Sequence, residues 1–200
     1  MSDDSTINNR RRFLTDVTSG IGLAGAGVAA VPFVMSFTPS ERAKAAGAPV
    51  EVDISQVEPG QMITIEWRGK PVWIVRRTPE MLQSINDLDD TVVDPNSKEQ
   101  QQPDYAKNKY RAIKNEYLIL LGICTHLGCA PLEKFEVGSS SDMGAEWKGG
   151  FFCPCHGSKF DLAGRVYKGV PAPINLEVPP HAYLSDSRIV VGVDQQGGAV

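Results

Sequence analysis

The sequence predicts a mainly β domain carried by one N-terminal transmembrane helix. Residues 17–40 contain no charged side chain, and such a stretch is long enough for a helix to cross a bilayer core of ~30 Å. Residues 50–200 contain short apolar runs separated by polar turns, a pattern typical of β structure. The net charge of −4 and the absence of a basic face argue against nucleic-acid binding.

The first residues resemble an export signal. Arg10 and Arg11, followed by Arg12-Phe13-Leu14 and an apolar stretch, are similar to a twin-arginine signal, which exports folded proteins across the bacterial inner membrane. The alternative is a basic cap that holds the N-terminus in the cytoplasm. Both interpretations place residues 1–16 on the cytoplasmic side.

We expect the apolar segment, residues 17–38, to remain as an uncleaved anchor. Ala43-Lys44-Ala45 fits a peptidase site, which favours cleavage, but the apolar stretch exceeds the ~7–15 residues that a cleaved signal needs. Residues 39–50 are small, polar and rich in alanine, and we expect a flexible hinge between the membrane and the domain at residues 51–200.

Several secondary-structure elements are predicted in the domain. Residues 63–67 and 71–75 flank a glycine-containing turn and predict a hairpin. Further strands are expected at residues 117–123, 147–152, 159–167 (turning at Ala163-Gly164) and 188–193. Short helices are expected at 78–85 and 105–115, and a surface excursion at 87–103. His181 has no partner at ligand spacing and is expected on the surface, whereas Trp67, Trp73 and Trp147 are expected to serve packing.

All four cysteines and two of the three histidines lie in two short stretches. These are Cys124-Thr125-His126-Leu127-Gly128-Cys129 and Cys153-Pro154-Cys155-His156-Gly157-Ser158, and each directly follows a predicted strand. Glycine in each stretch allows a tight turn that points backbone amides inward.

Three kinds of site fit this composition. A tetrahedral zinc site accepts two thiolates and two imidazoles, but it gives no reason for the additional Cys129 and Cys155. In an exported, oxidising compartment these two cysteines are natural partners for a disulfide. Two disulfides without a metal would leave both histidines without a role.

The paired motifs CTHLGC and CPCHGS resemble the signature of Rieske iron–sulfur proteins. The resemblance implies one [2Fe-2S] cluster per chain, in which histidine ligands raise the reduction potential to roughly −150 to +300 mV. Carried over by position, the inner iron is bound by Cys124 and Cys153, the outer iron by His126 and His156, and a disulfide joins Cys129 to Cys155.

The resemblance extends over nearly the whole chain. The twin-arginine start, the single anchor, the alanine-rich tether, residues 77–80 and residues 169–173 are similar to bacterial Rieske subunits of cytochrome bc1 complexes. That family implies an antiparallel β-sandwich head with a small cluster-binding subdomain at about residues 122–173. It also implies a loop that covers the cluster, formed by Gly169, Val170, Pro171, Ala172 and Pro173.

The resemblance also implies a function. The cluster would accept an electron from ubiquinol at cytochrome b, with a proton on a ligand histidine, and pass the electron to cytochrome c1. The chain would be a redox subunit, active only within a dimeric complex in the bacterial inner membrane, with its cluster domain in the periplasm. His156 is expected to contact the quinol, with His126 as its exposed companion.

Residues around the cluster are expected to tune its potential. By resemblance, Ser158 donates a hydrogen bond to a cluster sulfur and raises the potential. Phe160 stands where many family members have a tyrosine, so we expect a lower potential than theirs. Leu127, Gly128 and Gly157 complete the surroundings of the cluster.

The sequence is also compatible with two other functions. One is a Rieske subunit of another exported oxidoreductase, such as arsenite oxidase, which also shows a twin-arginine signal and a disulfide. The other is a non-redox zinc or disulfide module, which metal content and colour distinguish.

Overall fold

The structure is a computed structural model that describes residues 3–194, apart from the side chains of residues 3–7, 42 and 46. The outer ends of the predicted tail and head, residues 1–2 and 195–200, lie outside the described residues. The chain divides between Ala45 and Ala46 into two compact units.

The N-terminal unit is a long helix followed by a short one. α1 spans Asp3–Met35 and contains Pro32 within its last turn, and α2 spans Glu41–Ala46. By length and composition alone, the part of α1 at Asn8–Met35 is long and apolar enough to cross a membrane. The predicted apolar anchor helix is therefore confirmed as a helix.

The head contains three antiparallel sheets of three strands each among the described residues. The first sheet is ordered β1 (Val50–Asp53), β9 (Arg188–Val191) and β8 (His181–Tyr183). The second is ordered β2 (Met62–Trp67), β3 (Lys70–Arg76) and β4 (Tyr117–Leu121). The third is ordered β5 (Leu132–Lys134), β6 (Gly150–Cys153) and β7 (Ser158–Phe160). The predicted mainly β fold is confirmed.

Two predicted local elements are also confirmed. β2 and β3 form the hairpin, in which Arg68 and Gly69 take φ values of 54° and 71° at the turn. The helix α3 spans Pro79–Asn86 and is capped by Thr78, whose hydroxyl accepts a hydrogen bond from the Met81 amide at 3.3 Å. A threonine cap followed by proline is a common helix start.

The strand β4 of the second sheet is buried on both faces. Along β4, Leu118 and Leu120 join the core that contains Cys124 and Cys153, whereas Ile119 packs on the opposite side with residues of the first sheet. Alternate strand residues point to opposite faces, so a strand of continuous apolar residues separates two cores. The second sheet thereby gives the two unpaired cysteines a rigid support.

The predicted helix at residues 105–115 is wrong. Only Asp104–Ala106 form a helical turn, of the 3-10 type. The Asn108 amide donates to the carbonyls of Tyr105 at 3.2 Å and Ala112 at 3.0 Å, and Arg111 takes a positive φ of 52°. Side-chain hydrogen bonds of this kind compete with helical ones.

Residues 87–103 are not a mere surface excursion. Leu88 and Val92 are buried, and the Val93 amide donates to the Val166 carbonyl at 2.9 Å. The segment therefore packs against the residues that follow β7, because its apolar side chains outweigh its polar composition.

The predictions for single residues have mixed outcomes. His181 is buried rather than on the surface: its Nδ1 lies 2.9 Å from the Pro179 carbonyl oxygen, and its ring packs edge-on against Tyr105. The three tryptophans are buried, which agrees with the packing role expected for them. Residues 159–167 turn near Ala163-Gly164, as predicted: β7 ends at Phe160, the Asp161 carboxylate accepts hydrogen bonds from the amides of the turn, and Val166 returns opposite Phe160.

Candidate metal centre

The first ligand loop, residues 122–131, follows β4. The Gly128 amide donates to the Cys124 carbonyl at 3.0 Å, and the Cys124 amide donates to the Cys129 carbonyl at 2.7 Å. Gly128 has a φ of 82°, in the left-handed region that favours glycine. The loop is therefore a closed turn that begins at the buried Cys124.

The second ligand loop, residues 153–158, joins β6 to β7 and repeats this geometry. The Gly157 amide donates to the Cys153 carbonyl at 2.9 Å, and Gly157 has a φ of 80°. Cys153 and Ser158 are paired in the strand register, so the loop is the tip of a hairpin. Both motifs thus place a buried cysteine at the same position of the same turn.

One side chain braces the strands that lead into both loops. The Trp73 indole on β3 stacks on Phe151 of β6, with ring centroids 5.0 Å apart. It also lies so close to Gly122 that a side chain at this position would collide with it. Trp73 therefore limits how far the two loops can shift relative to each other.

A disulfide ties the loops together. Cys129 and Cys155 are bonded across a sequence separation of 26, as predicted. The sulfurs of these two residues and of Cys153 lie within 4.8 Å of one another. Because Cys129 and Cys155 are joined in the disulfide, their sulfurs do not serve as metal ligands. The thiols left for a metal are Cys124 and Cys153.

The two unpaired cysteines are buried and interact through their side chains. Burial raises the pKa of the Cys153 thiol, whereas backbone amides of Cys155 and His156 hydrogen-bond its sulfur and favour the thiolate. Amides directed at a cysteine sulfur are the environment that a metal-bound thiolate requires.

The two histidines complete the donor set. The rings of His126 and His156 lie edge to face, with centroids 4.7 Å apart. His126 is half-buried and His156 is exposed, so the imidazoles lie nearer to solvent than the cysteines. Two buried sulfur donors and two outer nitrogen donors fit a histidine-ligated [2Fe-2S] cluster, whose two irons have different ligands.

The predicted cover loop and Ile174, which follows it, contact both ligand loops. The Ala172 amide donates to the Ser158 hydroxyl at 3.0 Å, and the Thr125 hydroxyl donates to the Ile174 carbonyl at 2.6 Å. Ala172 is buried and Val170 packs against the core that contains Cys124. Gly169, Pro171 and Pro173 are exposed.

The residues predicted to surround the cluster fall into two groups. Ser158 and Phe160 are fully buried, and Phe160 pairs with Phe151 in the sheet register. The Ser158 hydroxyl accepts from the cover loop and retains its own hydrogen for donation. Leu127 instead has 71% of its surface exposed, at the outer end of the first loop.

Sequence reasoning missed a set of buried charges near these loops. The side chains concerned are Arg77, Arg111, Asp161 and Arg165. The spacing of Asp161 and Arg165, which form an ion pair at 2.7 Å, was the one available signal. No periodic pattern marks the other two arginines, since their partners are mostly backbone carbonyls far along the chain.

Comparisons with known proteins agree with the site. The family model described as Rieske [2Fe-2S] domain matches residues 49–180. A second model, described as Ubiquitinol-cytochrome C reductase Fe-S subunit TAT signal, matches residues 1–40. The export signal and the apolar helix together indicate an exported, membrane-anchored protein.

Curated relatives are similar over nearly the full length. The ubiquinol-cytochrome c reductase iron-sulfur subunit of Allochromatium vinosum is 57% identical, over 98% of this chain and 94% of that protein. The subunit of the same name from Blastochloris viridis is 43% identical, over 96% and 97%. A solved chain described as Hyperthermophilic respiratory Complex III is 29% identical with a TM-score of 0.46, over 86% of this chain and 98% of that chain.

The donor set, the disulfide and the full-length similarity agree, and this chain belongs to the family of Rieske [2Fe-2S] iron–sulfur subunits of ubiquinol-cytochrome c reductase.

Proposed function

We propose that the chain binds one [2Fe-2S] cluster through Cys124, Cys153, His126 and His156 and transfers single electrons from ubiquinol at cytochrome b to cytochrome c1. The observation that carries this proposal is the pair of repeated turns, which bring two buried thiols and two outward imidazoles together. When bound, the cluster supplies a one-electron couple at a potential raised by its histidine ligands.

The side chains of this site have distinct tasks. Cys124 and Cys153 hold their metal in the protein interior, where backbone amides stabilise anionic sulfur. One of the two imidazoles, His126 or His156, accepts the single proton that leaves ubiquinol with each electron. The greater exposure of His156 supports its role as the quinol contact.

The cover loop and the disulfide exclude water from the cysteines. The Ser158 and Thr125 hydrogen bonds hold the ligand loops in place, and the disulfide links the two loops to each other. Little reorganisation of the protein therefore accompanies a change of charge at the site. A rigid site favours rapid electron transfer because few atoms have to move.

The metal is tested on the purified full-length chain. We expect two irons, no zinc and, after reduction with dithionite, a rhombic paramagnetic resonance signal with nitrogen coupling. His126→Gln and His156→Gln should each abolish this signal, whereas His181→Gln is the matched control that retains it. A zinc-loaded, silent protein would instead be a structural module.

The partners are tested by purification from the native membrane. We expect the chain to elute with b-type and c-type haem and to support electron transfer from ubiquinol to cytochrome c. The subunits named for ubiquinol-cytochrome c reductase at 57% and 43% identity support this assignment. Co-purification with a molybdenum protein would point to another oxidoreductase.

We also assign the chain to the bacterial inner membrane, with the N-terminus in the cytoplasm and the cluster domain in the periplasm.

The head would move on residues 39–50 between cytochrome b and cytochrome c1. Ala48 is exposed and follows α2, so Ala48→Pro stiffens the tether without interrupting that helix. Turnover should fall in Ala48→Pro and not in Ala48→Ser, with the cluster spectrum unchanged in both; equal turnover contradicts a moving head.

Phe160 should keep the potential below that of relatives with tyrosine at this position. Phe160→Tyr adds a hydroxyl within the core that contains Cys124 and Cys153. A hydrogen bond from this hydroxyl to a ligand sulfur would stabilise the reduced cluster and raise the midpoint potential. An unchanged potential in a loaded Phe160→Tyr protein contradicts this role.

A further inference from the structure

Three arginine side chains are buried in the head, each with no more than 2% of its surface exposed: Arg77, Arg111 and Arg165. All three converge on one turn, residues 161–165, which begins directly after β7. The Arg77 guanidinium donates to the Leu162 carbonyl at 3.0 Å, and the Arg111 guanidinium approaches two carbonyls of the turn at 3.3 Å. We call this turn with its three arginines the arginine base.

The arginine base contacts the supports of every loop at the metal centre. Its turn leaves the second ligand loop through β7, and its Gly164 packs against Leu120 of β4, which leads to the first loop. Leu176 lies just beyond the cover loop; its amide donates to the Gly164 carbonyl at 2.8 Å, and its carbonyl accepts from the Arg111 guanidinium at 2.5 Å. Leu120 and Leu176 belong to the same buried core as the two unpaired cysteines.

The positive charge of this base is only partly compensated. Asp161 is the carboxylate buried with it, and the half-exposed Asp89 adds a second pair; both bind Arg165 at 2.7 Å. Their charges outweigh the effect of burial and raise the pKa of Arg165. Both of these ion pairs are therefore formed by one of the three arginines.

Arg111 is hydrogen-bonded to carbonyls of the turn and of Leu176 rather than paired with a carboxylate. Its remaining acceptor is the Gln102 amide oxygen at 3.0 Å, and among the side chains that the structure describes no carboxylate lies within 4.0 Å of Arg111. Burial lowers its pKa to about 10, which still leaves a cation at neutral pH. Burying a cation that has hydrogen bonds but no adjacent carboxylate is costly.

We propose that Arg111 is a positioning residue that also sets the redox potential, because its buried charge stabilises the reduced metal centre. Reduction by one electron adds one negative charge to the cluster. A cation in the weakly screened interior interacts with that charge more strongly than a surface cation does. The inference rests on the proposed cluster at Cys124, Cys153, His126 and His156.

Two substitutions at the same position separate charge from hydrogen bonding. Arg111→Lys keeps the charge and loses the planar fork, whereas Arg111→Gln loses the charge. We expect a lower midpoint potential in Arg111→Gln, a potential close to the parent in Arg111→Lys, and a lower melting temperature in both. Redox titration of the paramagnetic signal, with iron content measured alongside, gives the potential independently of turnover.

Arg188→Gln is the matched control for the lost charge. Arg188 lies on β9 with 56% of its side chain exposed and pairs with Glu51 at 2.7 Å. Removing this exposed cation should leave the midpoint potential unchanged, because solvent screens its charge.

A third variant neutralises Arg111 without removing it. Gln102→Glu places a carboxylate where the amide oxygen now accepts at 3.0 Å, and Arg111 keeps its bonds to the backbone. We expect a lower potential here too, with the exposed Gln56→Glu as its control. This variant decides the question if Arg111→Gln does not load iron.

Two results would overturn the inference. One is a parental midpoint potential in both Arg111→Gln and Gln102→Glu. The other is an equal fall in Arg111→Lys and Arg111→Gln, which would assign the effect to hydrogen bonds alone. A parent chain that loads no iron would defeat the proposed cluster instead, so the two failures are distinguishable.

Discussion

The tip of the head and its arginine base are built in contrasting ways. The tip, formed by the two ligand loops and the cover loop, exposes His156 and Leu127 and depends on short backbone turns and one disulfide. The arginine base is fully buried and joins side chains from distant parts of the chain through their guanidinium groups. Reactive groups thus lie on locally determined turns, while their relative position depends on long-range polar contacts.

The largest expected effect is a loss of stability on substitution in the arginine base. Asp161→Asn removes the buried partner of Arg165 and should lower the free energy of unfolding by about 3–5 kcal/mol. Glu116→Gln is the control, since its pair with Arg76 at 2.6 Å is partly exposed and contributes less than about 1 kcal/mol. Chemical unfolding of both variants measures the difference, and equal losses would contradict the contrast between tip and base.

The next effect concerns the disulfide of the tip. Substituting Cys129→Ser together with Cys155→Ser releases a loop closed over a separation of 26, which should cost about 3 kcal/mol of unfolding free energy. The cluster should also be lost at a lower temperature, as followed by the visible spectrum. The parent treated with a reductant is the comparison, and a double variant that retains its cluster like the oxidised parent would refute this role.

Two hydroxyl groups of the tip should differ in their effect on potential. Ser158→Ala removes one hydrogen bond to the cover loop, and Thr125→Val removes one to Ile174 directly after it, each worth about 1 kcal/mol. The midpoint potential should fall in Ser158→Ala alone, because only the Ser158 hydroxyl keeps a hydrogen to donate toward the cluster. Equal potentials in the two loaded variants would mean that both hydroxyls only hold the loop.

The smallest expected effect is a pH dependence at His181, which is buried against Tyr105 and Tyr183 with Asp194 nearby. Burial lowers the pKa of His181, opposed in part by its hydrogen bond to Pro179. Below its ordinary value of 6.5 the unfolded chain binds a proton that the folded chain does not. Stability should therefore fall by about 1 kcal/mol as pH drops from 7.5 to 5.5.

His181→Gln tests that pH dependence. Its melting temperature should change less between the two pH values than that of the parent. The same loss in both proteins would assign the pH dependence to other groups.

The sequence predicted the functional residues of the tip, but it did not predict the arginine base. The cysteine and histidine spacing predicted both ligand loops, and the structure brings their side chains together. The sequence also led to two wrong predictions, a helix at residues 105–115 and a surface position for His181. Those errors arise where Asn108 and Tyr105 form contacts that depend on the position of other segments.

The sequence by itself determined the donor residues, the apolar helix and the antiparallel hairpin. Each is specified within a few residues, where motif spacing and hydrophobic pattern dictate geometry directly. Only the tertiary structure decided that residues 87–103 pack inward and that Arg77, Arg111 and Arg165 meet at one turn. Such contacts join residues far apart in the chain, and a buried arginine that binds backbone carbonyls leaves no local pattern by which to recognise it.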